Sequence, residues 1–212
     1  ICHIKDEPDL EELLAEAVKS GLLKVTTKYE DALSESDVVI LCLPTPYDES
    51  LVPDNSYLLY ACKDVGRYLR SGSLVAVEST VSPGVVEEQV IPTLESQQDI
   101  KTGRDFGVAS CPERANPSEI LKNFNQVPRV VGGFDAKSTE LAAKLYEFVF
   151  HVKIVKVSDC KTANAAKITE NVFRDVNIAL INELAIFYDK IGIDIIEVIR
   201  ACATKYNFVA HY

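Results

Sequence analysis

The sequence predicts an α/β fold: a doubly wound, mostly parallel sheet with helices on both faces. Short apolar runs alternate along the chain with segments whose apolar residues recur every three or four positions, which is typical of βαβ units. Two of the runs, at 38–43 and 74–77, are almost entirely apolar, as expected of parallel strands covered on both faces. Beyond residue 159 the alternation stops, and a domain of long helices is predicted to follow the sheet.

The first four predicted elements alternate between helix and strand. Leucines and a valine recur at helical spacing over 10–19, and acidic residues just before them favour a helix start. A short strand is predicted at 23–27 and a small helix at 29–34. The apolar run at 38–43 is predicted to be a strand, which ends at Pro44 because proline lacks a backbone donor.

A second buried strand organises the next part of the chain. One apolar stripe predicts a helix at 56–69, and the strand at 74–77 follows it. The turn residues Ser82-Pro83-Gly84 predict a reversal into a helix that ends near residue 96. A strand at 106–109 comes next, followed by a loop rich in proline, glutamate and asparagine.

The remaining strands lie between this loop and the helical domain. Strands are predicted at 129–132 and 153–156, with a helix at 138–148 between them. Helical periodicity then predicts a long helix over 160–191 and a further helix over 194–203.

Two domains are therefore expected, one at 1–158 that contains the sheet and one at 159–212 that contains the long helices. The apolar face of the long helix is longer than one sheet can cover, so we expect part of it to pack on a second domain or a second subunit. That face comprises Val172, Val176, Ala179, Leu180, Leu184 and Phe187. A homodimer is the expected assembly.

Charge and composition argue against several kinds of partner. The net charge is −10 and the carboxylates are spread along the chain, so no nucleic acid partner is expected. The negative net charge still allows a small anion to bind, because a few local cations and backbone N–H groups can hold a diphosphate. No apolar run approaches the ~20 residues of a membrane helix and no leader opens the sequence, so a cytoplasmic protein without a membrane partner is expected.

The cysteines and histidines predict neither a metal site nor disulfides. The six cysteines are far apart and form no C-x-x-C pair. We interpret them as reduced, mostly buried thiols, with Cys42 and Cys62 as inert core residues in apolar stretches. The three histidines show no metal-ligand spacing and no nucleophile beside them, so they are assigned no role.

Polar residues follow three of the predicted strands. Ligands of doubly wound sheets bind at the carboxyl ends of the strands, which is where Thr45, Thr80 and the pair Glu113-Arg114 are placed. A hydroxyl there suits a ligand oxygen or a water molecule, while a carboxylate beside an arginine suits acid–base chemistry and ligand binding.

Structural interpretations of the same residues stay open at this point. Turn chemistry accounts for Thr45 between two prolines, and Ser79 or Ser82 could cap the following helix. Glu113 and Arg114 could be an exposed ion pair with almost no effect on stability.

The long helix carries a second candidate group. Lys167, Asn171 and Arg174 are spaced by four and three residues, so they project from one sector of a helix and can converge on one ligand. A lysine, an amide and a guanidinium suit an oxygen-rich substrate. On their own, the same three residues are also what a solvated helix face contains.

A series of motifs along the whole chain resembles the UDP-glucose/GDP-mannose dehydrogenase family. In family order they are Glu7-Pro8 with LEELL, LCLPTP, PDNSYL, VESTVSPG, CPERANPSE, RVVGG and AAKITENVFRDVNIALINELA. The P-E-R triplet and the F-R-D-V-N run resemble the branch that acts on UDP-N-acetylmannosamine or UDP-N-acetylglucosamine, rather than the glucose branch.

The resemblance implies a Rossmann-like NAD-binding domain followed by a central helical domain. It implies that NAD is the cofactor and that Thr45 and Thr80 contact it, with Thr80 also ordering a catalytic water. Glu113 would be the carboxylate acid/base or water-orienting group, and Lys167 the catalytic lysine. The UDP-N-acetylhexosamine substrate would be held by Arg114, the backbone of Ala115, Asn171 and Arg174.

The family reaction needs two further pieces. It oxidises an alcohol to an acid by two hydride transfers to two NAD molecules, through an aldehyde and an enzyme thioester, so it requires a nucleophilic cysteine. The resemblance places that cysteine in a Gly-Gly-x-Cys motif beyond Tyr212, and a G-x-G-x-x-G strand before Ile1. Within the sequence the glycines are isolated, and Gly132-Gly133 is interpreted as a strand end. We therefore expect the chain to be the middle portion of an enzyme.

Three other functions remain as alternatives. The first is a UDP-glucose 6-dehydrogenase. The second is a β-hydroxyacid dehydrogenase, whose central helix also carries a Lys-x-x-x-Asn pair, but it leaves CPER and FRDVN unexplained. The third is a catalytically inactive dimerisation fragment.

The chain also departs from the family pattern after P-E-R, where Ala115-Asn116-Pro117-Ser118 replaces a valine and a Pro-Gly pair.

Overall fold

The computed structural model describes residue 7, residues 9–115 and residues 120–208. Cys2, His3, Pro8, His211 and the segment Asn116-Pro117-Ser118 lie outside the described residues. The chain forms two compact units, Ile1–Lys167 and Ile168–Tyr212, and each is described by itself. Among the described helices, none has the length and apolar character needed to cross a membrane. The expected domain boundary near residue 158 stays a prediction.

The first unit is built on a five-stranded sheet. Its strands are β1 (Val38–Leu41), β2 (Leu74–Val77), β3 (Gly107–Ser110), β4 (Arg129–Gly133) and β5 (Ile154–Lys156). They follow one another in chain order across the sheet. The first three strands are parallel, β4 runs antiparallel to β3, and β5 is parallel to β4. The predicted doubly wound, mostly parallel sheet is confirmed.

Helices connect these strands and continue beyond them. They are α1 (Leu10–Lys19), α2 (Tyr29–Leu33), α3 (Ser56–Tyr68), α4 (Ile91–Glu95), α5 (Ile120–Phe124), α6 (Ala136–Phe150), α7 (Cys160–Asp189) and α8 (Ile195–Cys202). A π-helical segment, Val86–Val90, leads directly into α4. Because Pro92 has no N–H to donate, regular α-helical bonding is interrupted at this junction.

The two faces of β2 enter two separate apolar cores, which explains its uniformly apolar sequence. Val75 and Val77 pack with residues of α3 and α4 in one core. Leu74 and Ala76 pack with residues of α6, including Tyr146, in the other. All four residues of β2 are buried, as is typical of a central strand between two helical layers.

Three local predictions are wrong. Residues 23–27 do not form a strand; they are exposed and pair with no described strand, and a strand needs a partner for its backbone groups. The run at 38–43 was predicted to be covered on both faces, but Ile40 is 47% exposed, because β1 is an edge strand of the described sheet. The loop after β3 also contains α5, which no periodicity indicated.

The second unit comprises the rest of α7 and α8. Gly192, at a φ of 76°, allows the chain to leave α7, and Asp194 caps α8 by accepting from the N–H of Ile196 at 2.9 Å. Several apolar side chains of α7 that were predicted to form its packing face are exposed, among them Val172, Val176, Leu180 and Phe187.

Candidate active site

The carboxyl ends of β1, β2 and β3 form one edge at which the three polar turns meet. The N–H of Glu78 donates to the carbonyl of Leu41 at 3.0 Å, and the N–H of Cys111 donates to the carbonyl of Val77 at 2.9 Å. The N–H of Glu113 reaches the carbonyl of Glu78 at 3.3 Å. The three segments therefore lie side by side, as the parallel pairing of these strands requires.

Ser79 joins the turn after β2 to the end of β1. Its buried hydroxyl accepts a hydrogen bond from the N–H of Leu43 at 2.8 Å and donates one to the carbonyl oxygen of Leu43 at 2.9 Å. The interpretation of Ser79 or Ser82 as a helix cap is wrong, because no side chain caps the helical segment that begins at Val86. Ser79 instead fixes the spacing of two strand ends.

Thr45 and Thr80 are held together by a direct hydrogen bond. The Thr45 hydroxyl donates to the carbonyl oxygen of Thr80 at 2.6 Å, and both residues are half-buried. The two threonines therefore lie next to each other at the carboxyl ends of the strands, although they are 35 positions apart in the sequence. Their assignment as NAD contacts stays a prediction.

Glu113 and Arg114 extend from the end of β3 toward different partners. One oxygen of the Glu113 carboxylate accepts from the N–H of Ala115 at 2.6 Å. The guanidinium of Arg114 donates to the carbonyl of Pro128 at 2.6 Å. The Glu113 side chain is 36% exposed, so the carboxylate remains accessible from solvent.

Arg129 is a residue of this edge that the sequence reasoning missed. Since β4 is antiparallel to β3, the amino end of β4 lies beside the carboxyl end of β3, and Arg129 is its first residue. The guanidinium is 3.6 Å from the carboxylate of Glu78 and 4.0 Å from that of Glu113. The only signal in the sequence was a cation at the start of a strand that has no other charged residue.

Three aromatic rings surround the Arg129 guanidinium. Its central carbon lies 5.0 Å from the ring centre of Phe124, 5.1 Å from that of Tyr146 and 4.3 Å from that of Phe150. Aromatic faces attract cations, so these rings hold the guanidinium in place. Burial opposes its ionisation, but Cys111 and Glu78 raise the pKa of Arg129 above its ordinary value, and the side chain stays charged.

Glu78 links this cation to the hydroxyl of Tyr146. The hydroxyl donates to the Glu78 carboxylate at 2.7 Å. Burial, with the neighbouring Cys111 and Glu78, raises the pKa of Tyr146, so the phenol stays a neutral donor. Neither the pairing of Glu78 nor the contribution of Tyr146 was predicted from the sequence.

The cysteines near the sheet are poor nucleophiles. Burial raises the pKa of Cys62 and of Cys111 to about 12. Cys42 was predicted to be a core residue, and this is wrong because its side chain is exposed at the edge strand. Partial desolvation and the charge of Glu78 nevertheless raise the pKa of Cys42 to about 11. All three are therefore thiols rather than thiolates at neutral pH.

The start of α7 is fixed against the ends of β3 and β4. Asn164 is buried and accepts from the hydroxyl of Ser110 at 2.7 Å, while the thiol of Cys160 donates to the carbonyl of Gly132 at 3.3 Å. A Cβ atom on Gly132 would collide with the carbonyl oxygen of Asp159. The interpretation of Gly132 as a mere strand end is therefore incomplete, since the residue lets α7 approach the sheet.

Lys167 belongs to this anchored part of the first unit. It follows Asn164 by three residues on α7, so it lies on the same side of the helix, about one turn further along. Its side chain is half-buried. The lysine is thus carried by a helix whose preceding turn contacts the end of β3.

Asn171 and Arg174 lie beside each other on the second unit's part of α7. The guanidinium of Arg174 donates to the side-chain oxygen of Asn171 at 3.2 Å. Their assignment as substrate contacts, like that of Arg114 and Ala115, stays a prediction.

Comparison with known proteins identifies the family. Residues 2–150 match the NAD binding domain of the UDP-glucose/GDP-mannose dehydrogenase family, and residues 161–212 match the central domain of the same family. The chain belongs to the UDP-glucose/GDP-mannose dehydrogenase family. The resemblance inferred from the motifs is confirmed.

Relatives within the UDP-glucose/GDP-mannose dehydrogenase family share the sequence and fold closely. The chain is 42% identical to the UDP-N-acetyl-D-mannosamine dehydrogenase of Methanocaldococcus jannaschii, over 92% of this chain and 43% of that protein. It is 38% identical to the UDP-N-acetyl-D-glucosamine 6-dehydrogenase of Pseudomonas aeruginosa, over 92% and 46%. The solved structure of the UDP-D-ManNAc dehydrogenase of Pyrococcus horikoshii superposes with a TM-score of 0.93 at 38% identity, over 100% of this chain and 49% of that one. The chain thus spans less than half the length of each of these three relatives.

Proposed function

We propose that the complete protein is an NAD-dependent UDP-N-acetylhexosamine 6-dehydrogenase. It would oxidise UDP-N-acetylmannosamine or UDP-N-acetylglucosamine to the corresponding uronate, a precursor for polysaccharide synthesis. The observation that carries this proposal is the sheet edge where the turns of Thr80 and Glu113 meet. Family membership and the names of the relatives supply the substrate class.

The residues of the sheet edge fit the NAD that the family implies. Two half-buried threonines are joined at the strand ends, where nucleotides bind to doubly wound sheets. Thr45 and Thr80 would contact the cofactor there. Bound NAD would supply the hydride acceptor.

Each candidate side chain has a role that its chemistry supports. The Lys167 ammonium would stabilise the charge that develops on the substrate oxygen as hydride leaves or water attacks. Thr80 would order that water, and the Glu113 carboxylate would accept its proton or orient it. Arg114, the N–H of Ala115, Asn171 and Arg174 would hold the oxygen-rich substrate. Because the Ala115 N–H is bonded to Glu113, a substrate that uses this donor must displace the carboxylate.

We further infer a cytoplasmic homodimer. The exposed apolar side chains of α7, such as Val172, Val176 and Leu180, support this assembly, since contiguous exposed apolar surface is commonly covered by a partner. In a symmetric homodimer, a second copy of the chain would cover these side chains. The charge of −10 gives no support to a nucleic acid partner.

An NADH-release assay of the complete protein tests the proposed function. The substrates are UDP-N-acetylmannosamine, UDP-N-acetylglucosamine and UDP-glucose, with a β-hydroxyacid as a control for that alternative. We expect kcat/KM for one of the N-acetylated sugars to exceed that for UDP-glucose by at least about tenfold. Release with only UDP-glucose or only the β-hydroxyacid would assign a different activity, and no release with any of them would refute the proposal.

Replacing Arg174 with alanine should weaken binding of the UDP-sugar more than binding of NAD. A hydrogen bond to a charged group contributes about 1.5–3 kcal/mol, so the Kd for the UDP-sugar should rise about 10- to 100-fold. Calorimetric titration of the complete protein with each ligand measures both constants. Arg200→Ala, which removes an exposed arginine of α8, is the matched control and should leave both unchanged. Equal weakening of NAD and UDP-sugar binding would contradict the assignment.

A further inference from the structure

Arg129 occupies a position that the stability of the fold does not explain. Its side chain is only 5% exposed, and removing a guanidinium from water carries a large desolvation penalty. Apolar residues in place of both Arg129 and its partner Glu78 would avoid that penalty. Buried charges are often no more stabilising than apolar replacements of the same volume, so a role in the site is the better explanation.

The guanidinium faces two carboxylates that differ in their surroundings. Glu78 is 11% exposed and already accepts from the Tyr146 hydroxyl. Glu113 is 36% exposed and extends toward the ligand edge of the sheet. Arg129 therefore connects the interior of the sheet to the more accessible of the two carboxylates.

One nitrogen of Arg129 is available for Glu113. Within the described part of the chain, the buried Nη2 atom has no hydrogen-bond partner, and it lies 4.0 Å from Oε1 of Glu113. That same oxygen accepts from the N–H of Ala115. A small rotation of the carboxylate would bring it within hydrogen-bond distance of Nη2, and it would satisfy a donor that is otherwise buried without an acceptor.

We propose that Arg129 is a positioning residue for Glu113, holding its carboxylate at the strand tips when a substrate takes over the N–H of Ala115. The guanidinium acts as a second, fixed donor, so that Glu113 moves between two defined positions instead of turning into solvent. The proposal rests on the proposed function in one respect, since it takes Glu113 as the carboxylate of that site.

The surroundings of Arg129 suit this role. Its rings come from two helices, Phe124 from α5 and both Tyr146 and Phe150 from α6, so the guanidinium is held from more than one side. A planar guanidinium presents its donors in a fixed fork, which a lysine in the same place cannot reproduce. Arg129→Lys thus keeps the charge but removes the donor geometry.

A double-mutant cycle in the complete protein tests the proposal through turnover. Arg129→Lys, Glu113→Gln and the double variant are compared with the wild type by NADH release at saturating substrate. We expect Arg129→Lys to lower kcat about tenfold or more, with a smaller change in KM, and to change kcat less than about twofold when Glu113 is already glutamine. Equal effects of Arg129→Lys in both backgrounds would overturn the proposal.

Leu94→Ala is the matched control for a purely structural role. Leu94 is buried in the apolar core of α3 and α4, on the other face of β2 from Tyr146, and the change alters no charge and no donor. The variant should lower Tm and leave kcat within about twofold of the wild type. If Leu94→Ala lowers kcat as much as Arg129→Lys, the effect of Arg129 is structural and the proposal is wrong.

Crystal structures of the complete wild type and the Arg129→Lys variant, both with UDP-N-acetylmannosamine bound, decide the same question without turnover. We expect the Glu113 carboxylate to leave its wild-type position in the variant while the three rings stay in place. An unmoved carboxylate would overturn the proposal. A wild type that releases no NADH would refute the proposed function alone, and the position of Glu113 in the two structures would still decide the role of Arg129.

Discussion

Replacing Lys167 with alanine in the complete protein should lower kcat by about 10²- to 10⁴-fold, the range typical of a lost acid–base or charge-stabilising group. The lysine lies on α7 about one turn beyond Asn164, whose side chain is bonded to the end of β3. UDP-sugar binding should persist, because the other substrate contacts remain. NADH release at saturating substrate gives kcat, and calorimetric titration gives the Kd.

Lys161 provides the matched control for this experiment. It also lies on α7, is exposed, and pairs with Glu88 at 3.3 Å on the surface. Exposed ion pairs contribute little, so Lys161→Ala should keep wild-type turnover. Near-normal turnover of Lys167→Ala would remove this lysine from the mechanism, and a comparable loss in Lys161→Ala would show that the effect is not specific to the site.

Gly132→Ala should have the second-largest effect, on both stability and turnover. The new methyl group would collide with the carbonyl oxygen of Asp159, so the start of α7 must move away from the sheet. Overpacking of this kind usually destabilises by about 1–3 kcal/mol. Since α7 carries Lys167, a displacement of about 1 Å should also lower kcat by about 100-fold. Thermal unfolding and NADH release measure the two effects.

Gly72→Ala separates this displacement from a general loss of stability. Gly72 has a φ of 91°, but a Cβ there would meet nothing within 4 Å. The alanine should destabilise by about 1–2 kcal/mol through its left-handed backbone and leave kcat unchanged. A Gly132→Ala variant that lost stability to the same extent as Gly72→Ala and kept full turnover would contradict the displacement of α7.

Periodicity predicted most of the fold because most of its elements have one strong local signal. The uniformly apolar run at 74–77 became β2, buried on both faces, and the amphipathic stripe at 56–69 became α3. The strand predicted at 23–27 is absent, because apolar residues alone do not form a strand without a neighbouring strand to pair with. The predicted burial of Cys42 is wrong for a related reason, since burial beside an edge strand depends on what covers that strand and not on the local sequence.

Strand topology explains which parts of the site could be predicted. Thr45, Thr80 and Glu113 each follow a parallel strand, so their common edge follows from a general rule about doubly wound sheets. Arg129 opens a strand, and only the antiparallel pairing of β4 with β3 brings it to that same edge. No local pattern encodes that pairing, nor the aromatic rings that α5 and α6 place around the guanidinium.

The ratio of NADH formed to UDP-sugar consumed tests the proposed function most directly. Oxidation of an alcohol to an acid removes two hydrides, so the complete protein should form two NADH for each UDP-N-acetylhexosamine and leave the uronate as product. Absorbance gives the NADH, and mass spectrometry of the same reaction gives the sugar and the uronate. A ratio of one, with the aldehyde or another two-electron product accumulating, would contradict the proposed dehydrogenase.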